Sequence, residues 1–390
     1  MFISWDGPDT NYLESLFVPV FAELNRYDWK FHILHFSWST SAELTRLSEI
    51  SALSGIPYRA VRIWRTPRNL GALATAILGA IKVFVAAKRW NIDALMPRSI
   101  LPLLTCMILH TASKIPIVYD SDGLGVDEKV DFEGLRAGGL VHLFLRVVEM
   151  KGLQVASVVL ARTIEGKQVL RARGGSGVPE EKFHIVPNGR SAEPLSSTEI
   201  AFKDDSKDNK FMLCYVGSVG PQYLPIDMLK AAATLNLHIP NFYFLVLTRN
   251  LKQLQVALRE AEMEHEDWII AKTVPASKIR DELTQCHLAI SMRQDAFSTK
   301  AVQPIKLGDY LLSGLPIIGN SVTTQTRLLE EEGVFFNLEG KCAAETLRWV
   351  EESVLPSRAK LAEKCVRVGR KFYTTTAAAD EYNRALLAIR

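Results

Sequence analysis

The opening of the chain alternates between apolar and amphipathic stretches in the order strand, turn, helix, strand. An apolar stretch over residues 1–5 predicts a strand, and Asp6, Gly7 and Pro8 form a turn signal that ends it. Residues 12–26 carry Leu, Phe and Val at helical spacing, and residues 30–36 predict a second strand. This order is typical of a parallel α/β sheet with helices on its faces.

The same alternation continues through both halves of the chain and is interrupted once. Residues 192–209 are rich in serine and charged residues and have no apolar period, so they predict a linker. We therefore predict a first domain over residues 1–191, a second over residues 210–372, and a final helix within residues 373–390. With 390 residues and 48% hydrophobic content, two ordinary domains can each bury a core.

Composition excludes several classes of function. The net charge of +3 is too small to indicate a general affinity for nucleic acid. The five cysteines are scattered without a C-x-x-C pair, which argues against a disulfide framework and a zinc site and favours a reducing cytoplasm. The first residues lack the pattern of a signal peptide. The chain also has no H-E-x-x-H or G-x-S-x-G motif, so the sequence does not support a metalloprotease or a hydrolase.

Residues 70–87 (LGALATAILGAIKVFVAA) predict a helix that is apolar over most of its surface. Thr75, Lys82 and Arg89 recur every seven residues on one face, and a charge near the middle of a bilayer is costly, so we expect that this helix does not span a membrane. Two interpretations stay open. The helix is buried in the first domain, or it rests on an anionic membrane with Trp64 and Trp90 as interfacial anchors.

The most informative stretch is residues 297–320, FSTKAVQPIKLGDYLLSGLPIIGN. A proline start and a Ser313-Gly314 end predict a short helix, followed by an apolar strand. Lys306 and Asp309 project from the first turn of that helix, where backbone N–H groups and the helix dipole favour an anion. An anion that also carries a sugar hydroxyl, such as a nucleotide, suits both side chains. An ordinary amphipathic helix with a surface Lys and Asp is the alternative.

This stretch resembles the donor-nucleotide motif of retaining GT-B glycosyltransferases of the family 4 type, P-x-K-x-x-E-Y-x-x-x-G-x-P-V. The resemblance implies that Asp309 accepts hydrogen bonds from the ribose hydroxyls and that the residues before it hold the diphosphate and the donor sugar. Many members carry a second Glu eight positions earlier, near the donor sugar, where this chain has Ala301.

A small-residue loop between a predicted strand and helix could hold phosphate. Gly217-Ser218-Val219-Gly220 permits close approach of a ligand to the backbone, and its position matches a donor loop of the same enzymes. Most members carry an Arg and a Lys there, and this chain has neither. We therefore expect Arg249, at the end of the next strand, to supply a cation. The donor-binding residues predicted in this way are Gly217, Ser218, Gly220, Arg249, Ser298, Lys300, Lys306 and Asp309.

Acidic residues follow a predicted strand of the first domain at residues 116–119. Asp120-Ser121-Asp122 and the residues after it lie where open α/β sheets place their ligands, and they resemble a D-x-R-G-x-x-x-D-E-R-V segment of GT-B members. Asp122 or Asp127 would orient or deprotonate an acceptor hydroxyl. A solvated acidic loop is the alternative. The opening FISWDG also resembles these enzymes, and the predicted acceptor-facing residues are Asp6, Asn11, Glu14 and Asp120.

The resemblance implies a GT-B fold: two Rossmann-like α/β domains, with the final helix crossing back to the first. It implies a glycosyltransferase (EC 2.4) that moves a sugar from a UDP- or GDP-linked donor to a glycan or lipid-linked acceptor, with retention and without a metal or other cofactor. Capsule, exopolysaccharide or O-antigen synthesis at the cytoplasmic face of a membrane is the expected setting. Two alternatives are a metal-dependent GT-A transferase using Asp120 and Asp122, and a non-catalytic subunit that binds the nucleotide sugar.

Overall fold

The computed structural model describes residues 1–8, 11–63, 68–191, 195–196, 199, 210–356 and 358–390. The chain divides into two compact units, and neither is continuous in sequence. The first comprises Met1–Ser191, Phe297–Gln303 and Thr375–Arg390, and the second comprises Ala192–Ala296 and Pro304–Thr374. Most of the predicted linker at residues 192–209 lies outside the described residues.

The described strands of the first unit are all parallel. They are β1 (Phe2–Asp6), β2 (Ile33–Ser37), β3 (Tyr58–Arg62), β4 (Met96–Pro97), β5 (Val118–Asp120), β6 (Val158–Ala161) and β7 (Phe183–Ile185). Four of them pair in the order β3-β2-β1-β4, and three in the order β5-β6-β7. Single parallel bridges, Leu95 with Ile117 and Arg98 with Asp120, join the two sets. The order reverses between β1 and β4, which is the Rossmann-like arrangement.

The helices of the first unit cover this sheet. They are α1 (Val18–Leu24), α2 (Ser41–Leu53), α3 (Arg68–Arg89), α4 (Ile100–Ser113), α5 (Gly125–Phe132), α6 (Leu140–Val155) and α7 (Ile164–Gly174). A π turn, Leu13–Phe17, leads into α1, and short 3-10 turns span Asn25–Tyr27, Glu180–Lys182 and Ser298–Ala301. Thr40 and Glu43 form a reciprocal capping box that fixes the start of α2.

The described strands of the second unit are also parallel. They are β8 (Phe211–Val216), β9 (Phe242–Leu247), β10 (Ile269–Lys272), β11 (Leu288–Ser291), β12 (Ile317–Gly319) and β13 (Phe335–Asn337). Their order is β10-β9-β8-β11-β12-β13, so this sheet reverses between β8 and β11. Both units therefore have the predicted α/β class.

The remaining helices belong to the second unit, except for the last, which belongs to the first. They are α8 (Pro225–Asn236), α9 (Leu251–Glu260), α10 (Ile279–Thr284), α11 (Ile305–Leu312), α12 (Thr324–Glu331), α13 (Ala343–Trp349), α14 (Arg358–Phe372) and α15 (Thr375–Leu386). Remaining turns are Pro221–Tyr223, Ala276–Lys278, Val350–Val354 and Leu387–Ile389.

One predicted strand is much shorter than expected. Residues 91–96 predict a full strand, but only Met96–Pro97 joins the ladder of β1. Asn91 has φ +47°, and the N–H of Ile92 donates to Ala87 O at 2.9 Å, so residues 91 and 92 close the end of the preceding helix and do not join the strand. Apolar runs also predict strands at residues 158–161 and 242–247, and these coincide with β6 and β9.

The final helix belongs to the first unit, where α15 packs against α1. The Trp29 indole donates to Asn383 Oδ1 at 2.9 Å. Tyr382 is buried, and its hydroxyl lies 3.3 Å from the Arg162 guanidinium, which donates to it. The final segment therefore completes the core of the unit that contains the first residues of the chain.

The long helix α3 combines features of both interpretations left open by the sequence. Ala76, Ala80 and Val83 are buried in the first unit, while other apolar side chains of α3 face outward. None of the described helices is long and apolar enough to cross a bilayer. Trp90 lies 5.1 Å from the His32 ring and is half-buried, and Trp64 lies outside the described residues.

Gly319 at the end of β12 tests how closely the strands of the second unit are packed. An added Cβ would lie 1.9 Å from the carbonyl oxygen of Ser291 in β11, so we expect Gly319→Ala to lower the free energy of unfolding by about 3 kcal/mol. Urea unfolding measures this change. Gly125→Ala is the control, because nothing lies within 4 Å of its Cβ, and we expect a change below about 1 kcal/mol. Equal effects of the two substitutions would contradict this packing.

Candidate functional site

The sheet of the second unit reverses its strand order between β8 and β11. Loops that leave two such neighbouring strands run in opposite directions and open a crevice at their carboxyl ends, where α/β proteins bind ligands. Gly217 follows β8 and Arg293 lies two residues after β11. The chemistry of the second unit is therefore expected at these two loops.

Gly217 allows a lysine to approach the backbone closely. Its φ of +136° is rarely adopted by other residues, and a Cβ there would lie 3.2 Å from Lys306 Nζ. The Gly217 N–H donates to Leu247 O at 3.0 Å, and the Val219 N–H donates to Asn250 Oδ1 at 3.2 Å. These bonds hold the loop in place, and they also mean that the Gly217 amide already has an acceptor within the fold.

Lys306 is held over two aromatic rings. Its ammonium donates to the Tyr215 hydroxyl at 2.8 Å and lies 4.0 Å from the Tyr215 ring centroid and 4.6 Å from the Tyr223 centroid. Tyr215 in turn donates to Ser218 O at 2.6 Å. The lysine, the tyrosine and the glycine loop are thus linked in one network.

A second cation shares the Tyr223 ring. Arg293 Cζ lies 5.4 Å from the ring centroid, and its Nε is buried without a hydrogen-bond partner among the described residues. Asn320, which follows β12, fixes the main chain of Arg293: the Arg293 N–H donates to Asn320 Oδ1 at 2.8 Å, and Asn320 Nδ2 donates to Arg293 O at 2.5 Å. These two hydrogen bonds to Asn320 therefore fix the main chain that carries the Arg293 side chain.

The two cations repel each other. Burial and the neighbouring Arg293 lower the pKa of Lys306 well below its ordinary value, and Asp309 only partly opposes them. Within the described part of the chain, neither Lys306 nor Arg293 forms an ion pair with a carboxylate. An anion with more than one charge, such as a diphosphate, would relieve this repulsion and fill the missing hydrogen bonds. Asp309, on α11, is 7% exposed and lies near enough to act on Lys306 electrostatically.

Of three further predicted donor residues, Arg249 belongs to the second unit and two belong to the first. Arg249 is exposed, while its neighbour Asn250 fixes the glycine loop. Ser298 and Lys300 belong to the first unit. The Ser298 N–H donates to Asp131 Oδ2 at 2.9 Å, and Lys300 O accepts a hydrogen bond from Thr163 Oγ1 at 2.7 Å. Gly220 lies in the glycine loop, and its carbonyl accepts a hydrogen bond from the Tyr223 N–H at 2.9 Å.

The Ala301 departure from the family pattern has a packing explanation. Ala301 is 1% exposed in the core of the first unit. A Cβ built on Gly166 would lie 2.9 Å from the Ala301 Cβ, so the two residues are in close contact. A glutamate at position 301 would have no room in this contact.

In the first unit, Arg98 gathers three of the predicted acidic residues at the reversal between β1 and β4. Its guanidinium donates to Asp6 at 3.2 Å and pairs with Asp122 at 2.5 Å, and its backbone bridges to Asp120. The guanidinium also lies 4.8 Å from the Tyr12 ring centroid. Arg98 is 6% exposed, whereas the Asp122 side chain is 34% exposed. Asp122 is therefore the member of this cluster that solvent reaches.

Asp120 is fully buried and paired. Both of its carboxylate oxygens accept hydrogen bonds from Arg162 Nη2 at 2.6 Å, and the Tyr382 hydroxyl lies 3.4 Å from one of them. This places Asp120 in the interior, where it joins β5, β6 and α15. The predicted acceptor-facing role would require an exposed oxygen that this arrangement does not provide.

Asp127 lies in a separate ion cluster. Arg173 donates to both of its oxygens, at 2.8 and 3.0 Å, and Arg146 pairs with it as well. Burial alone would raise the pKa of Asp127, but the hydrogen bonds from the two arginines outweigh it, and the pKa is lowered. Glu149 is bonded to the same arginines. A carboxylate held in this way is a weak proton acceptor, so the geometry favours a structural role.

The two remaining predicted acceptor-facing residues lie at the start of the first helical stretch. The Asn11 carbonyl accepts hydrogen bonds from the N–H and hydroxyl of Ser15, both at 2.9 Å. Glu14 pairs with Arg46 at 2.7 Å and is partly exposed. Among the described residues, neither forms a hydrogen bond or an ion pair with Arg98 or its carboxylate partners.

Comparison with solved structures identifies the architecture. The chain matches Anabaena HepE in complex with UDP and glucose at a TM-score of 0.69 and 13% identity, covering 99% of both chains. It matches the lipopolysaccharide outer core galactosyltransferase WaaB at 0.62 and 14% identity over 99% of both chains. It matches sucrose-phosphate synthase from Thermosynechococcus elongatus at a TM-score of 0.69 and 13% identity, covering 98% of this chain and 96% of the synthase chain. No protein-family model and no curated protein matches the sequence.

The chain has the GT-B fold. The predicted fold class is confirmed, and the GT-A alternative is not favoured. Of the two carboxylates on which that alternative relied, Asp120 is buried and paired with Arg162, so only Asp122 is accessible.

Arg98 was missed by sequence reasoning, whereas Arg293, with Ser298 and Lys300, is one of the residues before Asp309 that the sequence offers as phosphate ligands. Arg98 and Arg293 both follow short parallel strands at the points where a GT-B sheet reverses its order. Their position just after a strand was the available signal. The identity of the reversing strands depends on non-local pairing, which the sequence does not display.

Substitution of Asp127 separates a structural role from a catalytic one. Because its folded pKa is lowered, its contribution to stability is present above the unfolded carboxyl pKa and is lost as the pH falls through the folded pKa. Asp127→Asn should therefore lower the free energy of unfolding by about 3 kcal/mol at neutral pH, with a smaller deficit in acid. Chemical unfolding at several pH values measures this.

Glu133→Gln is the control, since Glu133 forms an exposed pair with Lys129 and its loss should change stability by less than about 0.5 kcal/mol. If Asp127→Asn is as stable as the wild type but loses activity, Asp127 acts as the predicted base and the structural assignment is wrong.

Proposed function

We propose that this GT-B protein is a glycosyltransferase that transfers a sugar from a nucleotide-sugar donor held by its second unit. The observation that carries the proposal is the cluster of Lys306 and Arg293 at the β8–β11 reversal. Two cations share one aromatic ring beside a glycine loop, and both lack a carboxylate ion pair among the described residues. A nucleoside diphosphate supplies the charge and the oxygen acceptors that this cluster needs.

The same cluster suits the chemistry of transfer. When the bond between the sugar and the diphosphate breaks, negative charge develops on the leaving phosphate oxygen. Lys306 and Arg293 would stabilise that charge from fixed positions, which is an effective form of electrostatic catalysis. Asp309 would accept hydrogen bonds from the ribose, as the family resemblance implies. Departure assisted in this way is compatible with retention of configuration at the anomeric carbon.

The first unit is proposed to hold the acceptor. Asp122 is the partly exposed carboxylate of the Arg98 cluster, and Arg98 fixes its orientation. It would therefore accept a hydrogen bond from the acceptor hydroxyl and orient it for attack. Asp127 is left out of this assignment because its oxygens are occupied by Arg146 and Arg173.

The solved structures support a particular setting for this reaction. HepE was crystallised with UDP-glucose, which favours UDP as the nucleotide, and WaaB is a lipopolysaccharide outer core galactosyltransferase. We propose a UDP-linked donor, a glycan or lipid-linked acceptor, and a role in surface polysaccharide synthesis at the cytoplasmic face of a membrane. Hydrolysis of the donor by the purified protein alone would exclude the alternative of a non-catalytic binding subunit.

A nucleotide screen tests the donor site. Thermal unfolding in the presence of UDP, GDP, CMP, ADP and dTDP should show a rise in Tm for UDP, because a ligand that binds only the folded state stabilises it. Arg293→Met should weaken UDP binding by about tenfold or more, as expected for the loss of a charge-assisted hydrogen bond. Asp309→Ala should reduce the UDP response and leave the unliganded Tm nearly unchanged.

Arg249→Met is the matched control, since Arg249 is an exposed arginine at the end of the neighbouring strand. We expect it to bind UDP like the wild type. A loss of binding in Arg249→Met with none in Arg293→Met would restore the sequence prediction and reject the cluster. The absence of any nucleotide response would reject the proposed function.

The lowered pKa of Lys306 makes a second prediction. A bound diphosphate would favour the charged lysine and raise its pKa, so UDP binding should be accompanied by proton uptake at pH values where free Lys306 is partly neutral. Affinity should then fall as the pH rises. Calorimetric titrations in two buffers of different ionisation enthalpy measure the protons bound. Lys306→Met should abolish the pH-dependent part, and unchanged uptake in that variant would contradict the assignment.

A further inference from the structure

Three helices of the first unit share an outward face that is unusually apolar. Helices α3, α4 and α6 lie side by side, with α4 packed against both of the others. Helix α3 connects β3 to β4, where the strand order reverses, and α4 and α6 come after it in the chain. All three helices therefore cover the same side of the sheet. More than half of the exposed large apolar side chains of the described residues lie on these helices. We call their outward surface the α3–α6 face.

On α3, the exposed residues form a stripe. Ile77, Ile81, Phe84 and Lys88 are spaced by four, three and four residues and therefore lie on one side of the helix. Ile77 is 50% exposed and Ile81 is 61% exposed. The opposite side of α3 is buried in the unit, so this stripe is additional to the apolar surface that the fold needs.

Helix α6 repeats the pattern. Leu140, Phe144, Val147 and Lys151 have the same spacing of four, three and four residues, and each is exposed. Each of the two helices that pack against α4 thus carries an exposed apolar stripe that ends in a lysine. Soluble proteins rarely expose contiguous apolar surfaces of this kind unless the surface has a partner.

The charge on these helices has one sign at the surface. Helices α3 and α4 contain no acidic residue, and the one acid of α6, Glu149, is 2% exposed and bonded to Arg146. The exposed Lys82, Lys88 and Arg89 border the stripe of α3. The exposed charged side chains of these three helices are all cations, although the exposed Asp93 and Glu133 lie in the neighbouring loops. An apolar surface with cations on its own helices complements an anionic bilayer, whose headgroups pair with the cations while the apolar side chains enter the interface.

We propose that the α3–α6 face docks the protein onto an anionic lipid bilayer. The helices lie on the surface and do not cross it, in agreement with the absence of a spanning helix among the described residues. The proposal rests on the membrane location proposed above, and it names the residues that would contact the membrane. It uses none of the donor-site residues, so its failure and that of the proposed function are separate results.

The test is co-sedimentation of the full chain with vesicles of phosphatidylcholine, alone or with roughly one-third phosphatidylglycerol. The wild type should sediment with the anionic vesicles and only weakly with the neutral ones. A variant with Lys82→Gln, Lys88→Gln and Arg89→Gln should bind the anionic vesicles about a hundredfold more weakly, since each cation near the surface contributes about fivefold. Ile81→Glu with Val147→Glu should abolish binding.

Leu53→Glu with Val256→Glu is the matched control, because both residues are exposed apolar residues on other helices, α2 and α9. It should bind like the wild type. An unchanged Tm and UDP response in every variant shows that the fold and the donor site are intact. The proposal is overturned if the wild type ignores anionic vesicles, or if the Ile81 and Val147 variant still binds them. It is also overturned if the wild type is a dimer that this variant separates, because the face then binds a second copy.

Discussion

The approach of the Lys306 ammonium to the backbone of Gly217 is the contact on which the proposed donor site depends. It requires a residue without a side chain at a φ of +136°, and it places a half-buried lysine at the point where the sheet reverses. Tyr215 and Tyr223 solvate that cation with their ring faces, and Arg293 is held beside the same ring. The charge at this cluster is therefore only partly compensated, by Asp309, which favours a polyanionic ligand.

In the first unit, by contrast, the buried charges are compensated. Its buried arginines are neutralised by carboxylates of the same unit: Arg162 by Asp120, and Arg98 by Asp6 and Asp122. Such pairs contribute little net stability, but breaking one leaves a buried charge without a partner. Their value is geometric, because they fix strand ends and the last helix relative to one another. The proposed binding of an acceptor hydroxyl in one orientation would benefit from this rigidity.

Sequence patterns were sufficient for most of the elements and for two residues of the candidate site. The strands at Val158–Ala161 and Phe242–Leu247 are continuous apolar runs, and Lys306 and Asp309 share a helix turn, so local spacing reveals all of them. Arg98 and Arg293 gain their roles from strands distant in sequence. Ser298 and Lys300 precede Lys306 closely, yet their segment packs into the other unit, and no local pattern encodes that path. Arg249 and Asn250 follow the same strand, and only the structure shows that Asn250 holds the loop.

The discontinuity of the first unit has a consequence for how the protein is made. Its sheet is complete once residue 191 has left the ribosome, but Phe297–Gln303 and α15 are still to be synthesised. Until then, the surfaces of α1 and Arg162 that bind the final helix, and the contact of Gly166 with Ala301, remain open to solvent. Domains usually fold in the order in which they are translated. Here the unit that begins first is completed after the second, because it needs residues 375–390.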